Sequence, residues 1–230
     1  LKFNHAQMPT GEVNFRREGA AALDMKQIME IAFPDINVVD GGWVFPNSPY
    51  SNKAGLDLYN VHDLDKAKTL LAQSPYKGEK LTFIIDDYRP DVDTATNIQE
   101  QLSQIGINID IRVSDWATVE KLGFTPNGWH FWAHGVGIEP YEGPGTVMSI
   151  WAGGKSQIKD DPVIDDLYAR YTSELDQAKR KQIFADFQKH MWEDAVGLQL
   201  GNYGLFQVSP VSLTNFVPYR IPRMWGVWLA

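Results

Sequence analysis

The 230-residue sequence contains no cysteine. That excludes disulfides, thiolate metal sites and cysteine nucleophiles, but it does not fix the compartment, because a large domain stays stable in an oxidising space without disulfides. No apolar run approaches the roughly 20 residues of a membrane-spanning helix. Positive charge is in deficit: 21 Lys+Arg stand against 29 Asp+Glu, a formal net charge of −8. Nucleic-acid backbones and anionic membrane surfaces need clustered positive charge, so neither is the main partner. Gly135-Val136-Gly137 and Gly153-Gly154 lack the strand-turn-helix setting and the Lys-Ser/Thr of a phosphate loop. No serine stands in a nucleophile elbow, and there is no internal repeat. Acid, finally, is missing from one end. After Asp194 no Asp or Glu occurs, and Arg220 and Arg223 are the only charged residues of the last 36.

What is present is a packed core. Hydrophobic residues make up 43% of the chain, with eight Trp, nine Tyr and eleven Phe, which is too much apolar surface for a disordered polymer. Leu1 to Asn4 reads as the start of a strand. Arg16 to Phe33 reads as one helix, stopped by Pro34, and residues 34–62 as a long ordered loop. Asp63 caps a helix through Gln73. Leu81 to Ile85 is a strand of β-formers, followed by a helix from Asp91 to Ile105 with Ile98, Leu102 and Ile105 on one face, ended by Gly106. Ile107, Ile109, Ile111 and Val113 then alternate with polar residues. Strand, helix, strand in this order is a βαβ unit, and the fold class is α/β. Further on, Asp115 caps a short helix to Leu122, Trp129 to Val136 reads as a strand, and Val147 to Trp151 as a helical turn. Asp161-Pro162 opens a helix through Tyr171, and Asp176 caps the longest helix, to Asp194. Val196, Leu198 and Leu200 alternate as a strand leading into the acid-free tail.

Three groups of residues carry candidate chemistry. His130 and His134 would share a face for a metal on a helix, which keeps a metal-dependent hydrolase as an alternative. Their aromatic stretch reads as a strand, however, where i and i+4 lie about 13 Å apart. The pairs Asp86-Asp87, Asp160-Asp161 and Asp165-Asp166 lack the Gly and Glu of an EF-hand loop, and two of them sit at helix starts, where carboxylates cap. Arg89 follows the carboxyl end of the first βαβ strand and precedes the next helix, the crevice where α/β sheets bind ligands. Its planar fork suits a carboxylate; the competing role is a local ion pair with Asp86, Asp87 or Asp91. A second alternative function is a protein-interaction domain docking through the aromatic tail.

Taken in order, Phe3-Asn4, Arg16-Arg17 with Ala22-Leu23-Asp24-Met25-Lys26-Gln27-Ile28, Asp63-x-Asp65-Lys66-Ala67-Lys68-x-Leu70-Leu71-Ala72, Leu102-x-x-Ile105-Gly106-Ile107, Asp115-Trp116 and Asp161-Pro162-x-Ile164-Asp165 resemble a known family. The sequence is similar to the large extracytoplasmic solute-binding proteins of ABC importers, in the family that takes dipeptides, oligopeptides and nickel chelates. The resemblance implies a periplasmic-binding-protein-like α/β lobe that closes on its ligand against a second lobe, with no enzymatic activity and no cofactor. It implies that residues 1–202 form the second lobe, with a hinge near Asn202 to Gly204, and that residues 203–230 return to a first lobe outside this sequence. It also implies a small peptide-like or other carboxylate-bearing solute, permease subunits as partners, and a periplasmic or other extracytoplasmic location. Arg89-Pro90 matches the family's Arg-Pro, whose Arg takes the ligand's terminal carboxylate. Trp129, Trp132 and Tyr141 are expected to line apolar subsites. Val136 stands where peptide binders carry the Asp for the ligand's amino terminus, with Glu139 or Glu142 as substitutes.

Overall fold

Aspartate side chains set where most of the helices begin. In the computed structural model, which describes residues 1–138, 143–154, 161–204, 207–217 and 223–230, Asp24, Asp63, Asp115, Asp161 and Asp176 each accept a backbone N–H from the first turn of the helix they precede. These helices are α2 (Met25–Ala32), α3 (Leu64–Gln73), α5 (Trp116–Gly123), α7 (Pro162–Ser173) and α8 (Gln177–Glu193). Glu12 caps α1 (Val13–Ala22) through the Phe15 N–H. Asp165 accepts from the Gly153 N–H at 2.6 Å and Asp166 pairs with Arg170, so the Asp165-Asp166 pair is used locally.

The central sheet has the order β1-β5-β3-β4. Strands β3 (Lys80–Asp86) and β4 (Asn108–Ser114) run parallel, joined by α4 (Arg89–Ser103), which is the βαβ unit expected from the hydrophobic pattern. Strand β5 (Phe131–Trp132) adds parallel to β3, and β1 (Lys2–Phe3) adds antiparallel to β5. Alternation along β3 feeds two sides of the sheet. Leu81, Phe83 and Ile85 enter the main core with α1, α2 and α4, whereas Ile84 joins Val119, Trp129 and Trp132 beneath α5. A third apolar cluster holds α6 (Gly145–Trp151), α7 and α8 together around Trp43, Tyr50, Phe184 and Phe187.

Several expectations change. The single helix from Arg16 to Phe33 is two, because the Asp24 side chain caps α2 and the chain at Leu23 is extended. The loop 34–62 carries β2 (Asn37–Val38) and a 3-10 turn (Leu56–Leu58). Strand Trp129 to Val136 shrinks to Phe131–Trp132, the residues in ladder register with β1 and β3. Val196, Leu198 and Leu200 are buried, but among the described residues their segment makes a single bridge, Gly197 to Lys2, with the Leu198 N–H donating to the Leu1 carbonyl. The strand here is instead β6 (Asn202–Tyr203), antiparallel to β2. In the tail, β7 (Leu213–Thr214) pairs with β8 (Trp228–Leu229), leaving Trp225 79% and Trp228 55% exposed.

His190 joins α8 to the start of α7. Its Nε2 lies 2.8 Å from Asp161 Oδ2, the α7 cap, and that contact raises its pKa above the ordinary imidazole value. A histidine raised by folding contributes stability that is complete below about pH 6.5 and is lost as pH rises through the folded-state value. His190→Gln is therefore expected to cost about 1–2 kcal/mol at pH 5.5 and much less at pH 8.5. Equal losses at both pH values, read from thermal unfolding, would show that the charge plays no part.

Candidate functional site

The three apolar clusters meet around a cavity of about 810 Å³. Its floor and walls come from Met29 of α2 and Phe33 just after it, Asp91 and Thr94 of α4, Trp132 to Ile138 at and beyond the end of β5, Trp151 of α6, Trp43, and the segment Leu198 to Gly204. It thus opens beside the carboxyl ends of the parallel strands β3 and β5, the edge at which α/β sheets generally place their ligands. Tyr203 stacks on Phe33 at 4.0 Å between ring centres, and Trp43 meets Trp151 edge-on at 5.2 Å. Glycines let the walls close this tightly. A Cβ at Gly135 would overlap the Tyr203 hydroxyl, and one at Gly197 would overlap the Trp151 ring.

Trp132 is the aromatic centre of one wall. It is 1% exposed, packs edge-on against Trp129 and Phe124, and lies 4.4 Å from the His134 ring. Trp129 stands behind it, fully buried, with its indole N–H donating to the Thr125 carbonyl at 2.9 Å; it is not part of the cavity wall. Arg89 is not brought into the cavity either. Its side chain is 84% exposed at the start of α4, and its Nε reaches both carboxylate oxygens of Asp93, one helical turn on, at 2.9 and 2.8 Å. The local ion pair thus forms with Asp93 rather than with Asp86, Asp87 or Asp91. Val136 lines the cavity, 43% exposed. Glu139, Tyr141, Glu142 and Asp160 lie outside the described residues.

The two histidines flank β5 and make separate contacts. His130 Nδ1 accepts the Thr82 N–H at 3.0 Å, so that lone pair is spent on extending the sheet. His134 Nδ1 faces the Gly135 carbonyl at 3.0 Å; since a carbonyl only accepts, Nδ1 carries the proton and Nε2 a lone pair, buried without a partner. Burial pushes the His134 pKa down to about 4, leaving the ring neutral. Among the described residues no three His, Asp or Glu side chains are grouped as metal ligands.

Lys2, Asp91, Trp43, Trp151 and Asn202 also line this cavity, and no motif in the sequence links them. Lys2 places its ammonium 4.8 Å from the ring centre of Trp132 and 5.9 Å from that of Trp151. Asp91 is 9% exposed, and burial together with neighbouring Asp86 pushes its pKa up to about 7. Trp43 Nε1 and Asn202 Nδ2 are buried without hydrogen-bond partners. The one available signal was a lysine inside an otherwise apolar strand opening, Leu1-Lys2-Phe3; the rest come together from distant parts of the chain.

Among the described residues no helix is long and apolar enough to cross a membrane. Solved structures with the same fold include a dipeptide-binding protein from Pseudoalteromonas sp. SM9913 in complex with Met-Leu, at 19% identity and TM-score 0.83, covering 100% of this chain and 47% of that one. The oligopeptide-binding protein AppA from Bacillus subtilis, in complex with a nonapeptide, matches at 18% identity and TM-score 0.77, over 100% of this chain and 50% of its own. AgaA from A. tumefaciens R10, in complex with agropinic acid, matches at 23% identity and TM-score 0.71, over 85% and 41%. The chain therefore spans half or less of the length of these structures. Residues 1–157 match the bacterial extracellular solute-binding proteins, family 5 Middle. With that match over more than half of its length, on an α/β lobe of the same fold, the chain belongs to the family 5 bacterial extracellular solute-binding proteins.

Proposed function

We propose that the protein is the solute-capturing subunit of an ABC importer, non-catalytic and working in the periplasm or another extracytoplasmic space, where it delivers a small peptide-like or other carboxylate-bearing solute to permease subunits. The observation that carries this reading is the 810 Å³ cavity itself, walled by Trp43, Trp132, Trp151 and Phe33, with Lys2, Asp91, His134 and Asn202 among its polar groups. Aromatic walls with a small number of placed polar anchors suit a cleft that must bind organic solutes and release them. The solutes held by the related structures, a dipeptide, a nonapeptide and agropinic acid, give the size range to test.

In this reading residues 1–202 form one lobe, and residues 203–230 belong with a first lobe that closes over the cavity. The boundary then falls within β6, next to the cavity wall at Tyr203. A lobe to cover it would also account for the exposed Trp225, Trp228 and Leu229 of the tail. Glu139, Tyr141 and Glu142 lie in sequence just beyond the wall residue Ile138 and are candidates for further contacts.

The test is calorimetry and small-angle scattering on the intact protein with dipeptides, longer peptides and opine-like acids. Binding is expected together with a smaller radius of gyration on saturation. An intact protein that binds none of these solutes would remove the reading. Arg89→Ala is expected to leave the affinity for a carboxylate ligand within about threefold, because the guanidinium sits in an exposed pair outside the cavity. A loss of tenfold or more would return Arg89 to the site.

A further inference from the structure

We propose that Lys2 is the anion anchor of the cavity: its ammonium takes the carboxylate of a solute whose apolar body lies against Trp43, Trp132 and Trp151. This rests on the reading of the cavity as the solute site, and names the group that selects for acids within it.

The placement is fixed by the backbone. Strand alternation sends Phe3 into the main core and Lys2 to the opposite side, among the rings of the cavity. Lys2 stands opposite Trp132 in the β1–β5 register and is bridged on its other edge to Gly197. A residue paired on both sides has little freedom left, so a ligand that binds it bears little ordering cost. The four-carbon stem is covered, leaving the residue 6% exposed, while the ammonium lies over the faces of Trp132 and Trp151.

The electrostatics of the lining point the same way. Lys2 is the only cationic side chain among the described lining residues. His134 is neutral and cannot share the task. Asp91, the one carboxyl group among them, is shifted by burial and by Asp86 to about 7, so near neutral pH it opposes the ammonium with only part of a charge. Burial lowers the Lys2 pKa to about 8, which still leaves the ammonium charged at neutral pH and raises the gain from an incoming anion. On residues of the same lining, Nε1 of Trp43, Nε1 of Trp132 and Nδ2 of Asn202 are buried N–H groups without partners. Among the described lining side chains these three unpartnered donors stand against one unpartnered acceptor, His134 Nε2, and a carboxylate is a small group that only accepts. Arg89, by contrast, is outside the lining and spends its Nε on Asp93.

The experiment uses the intact protein and matched pairs of probes: dipeptides and N-acetylated amino acids bearing a leucine or tryptophan side chain, each as the free acid and as its C-terminal amide. Affinities are measured by calorimetry for the wild type, Lys2→Met, Lys2→Arg and Arg89→Ala. The free acids are expected to bind, their amides roughly 30-fold or more weakly. Lys2→Met should lose a similar factor for the acids and little for the amides, Lys2→Arg should recover part of it, and Arg89→Ala should bind as wild type. The acid-to-amide ratio of the wild-type protein does not depend on any variant folding. Acids and amides binding equally well, or acid binding untouched in Lys2→Met, or a loss carried by Arg89→Ala, overturns the proposal while leaving the solute-binding function in place. If neither acids nor amides bind, that reading and this inference fall together.

Discussion

Replacing Arg16 by alanine is expected to destabilise the intact protein by about 3–5 kcal/mol, one of the two largest single-residue effects foreseen here. Arg16 sits on α1, is 6% exposed, and spreads its guanidinium over four backbone carbonyls. Its Nε donates to Ala195 at 2.9 Å, its Nη1 to Thr10 at 3.3 Å and Gly11 at 3.0 Å, and its Nη2 to Asp194 at 3.1 Å. Two of these lie before α1 and two follow α8, so one side chain ties the first helix to the end of the longest one. Truncation removes the donors and leaves buried carbonyls without partners, and that penalty exceeds the net worth of the hydrogen bonds themselves. Arg16→Lys is expected to recover less than half, because a point-like ammonium cannot reach all four carbonyls as the planar fork does. Denaturant unfolding measures both. A loss below 1 kcal/mol for the alanine variant would show that the carbonyls find water or new partners.

Glu18→Gln should act in the opposite direction. Glu18 is fully buried one turn along α1, and neither carboxyl oxygen has a partner. Burial, helped by neighbouring Glu12, pushes its pKa up to about 9. A carboxyl raised in this way holds its proton in the folded state at pH values where the unfolded chain has lost it. Its contribution is complete below about pH 4.3 and is lost as pH rises through the folded value, at up to about 1.4 kcal/mol per pH unit. The variant is expected to match the wild type near pH 4 and to exceed it by a few kcal/mol at pH 8. Unfolding scans across that range check the sign, and a wild type whose stability is flat between pH 5 and pH 8 would contradict it. A glutamate kept at such a cost is also a reason for the fold to be most secure in mildly acidic surroundings.

The pattern of apolar residues and caps made much of the fold legible. The βαβ unit followed from Leu81 to Ile85, from the Ile98, Leu102 and Ile105 face, and from the alternating run to Val113, all of which depend only on neighbours within a turn or a pleat. The helix starts at Asp63, Asp115, Asp161 and Asp176 were legible for the same reason: a cap bonds to an N–H two or three residues away. Asp24 misled because its cap interrupts a stretch whose composition is helical throughout.

The candidate site was legible only in part. Trp132 was named from its aromatic surroundings and does face the cavity, but Trp129, three residues earlier in the same stretch, lies behind it. Arg89 was named from its place after β3, and that place is as expected; the direction of the side chain was decided by Asp93, one turn along the helix. Lys2, Trp43, Trp151 and Asn202 lie about 40 to 200 residues apart in sequence, and no local pattern links them.

The sequence by itself determined the α/β class, the βαβ unit, most helix boundaries, the family resemblance and the absence of cysteine chemistry, because each of these is set by short-range geometry or by composition. Only the tertiary structure decided which charged and aromatic groups share the cavity. Lys2 meets Trp132 and Trp151 there through a register between strands, and Arg89 is left in solvent by an ion pair one helical turn away. Burial then shifted Asp91, His134 and Glu18 from their ordinary values. A side chain's partners and its dielectric surroundings are properties of the assembled fold, and they exist only once distant segments have packed.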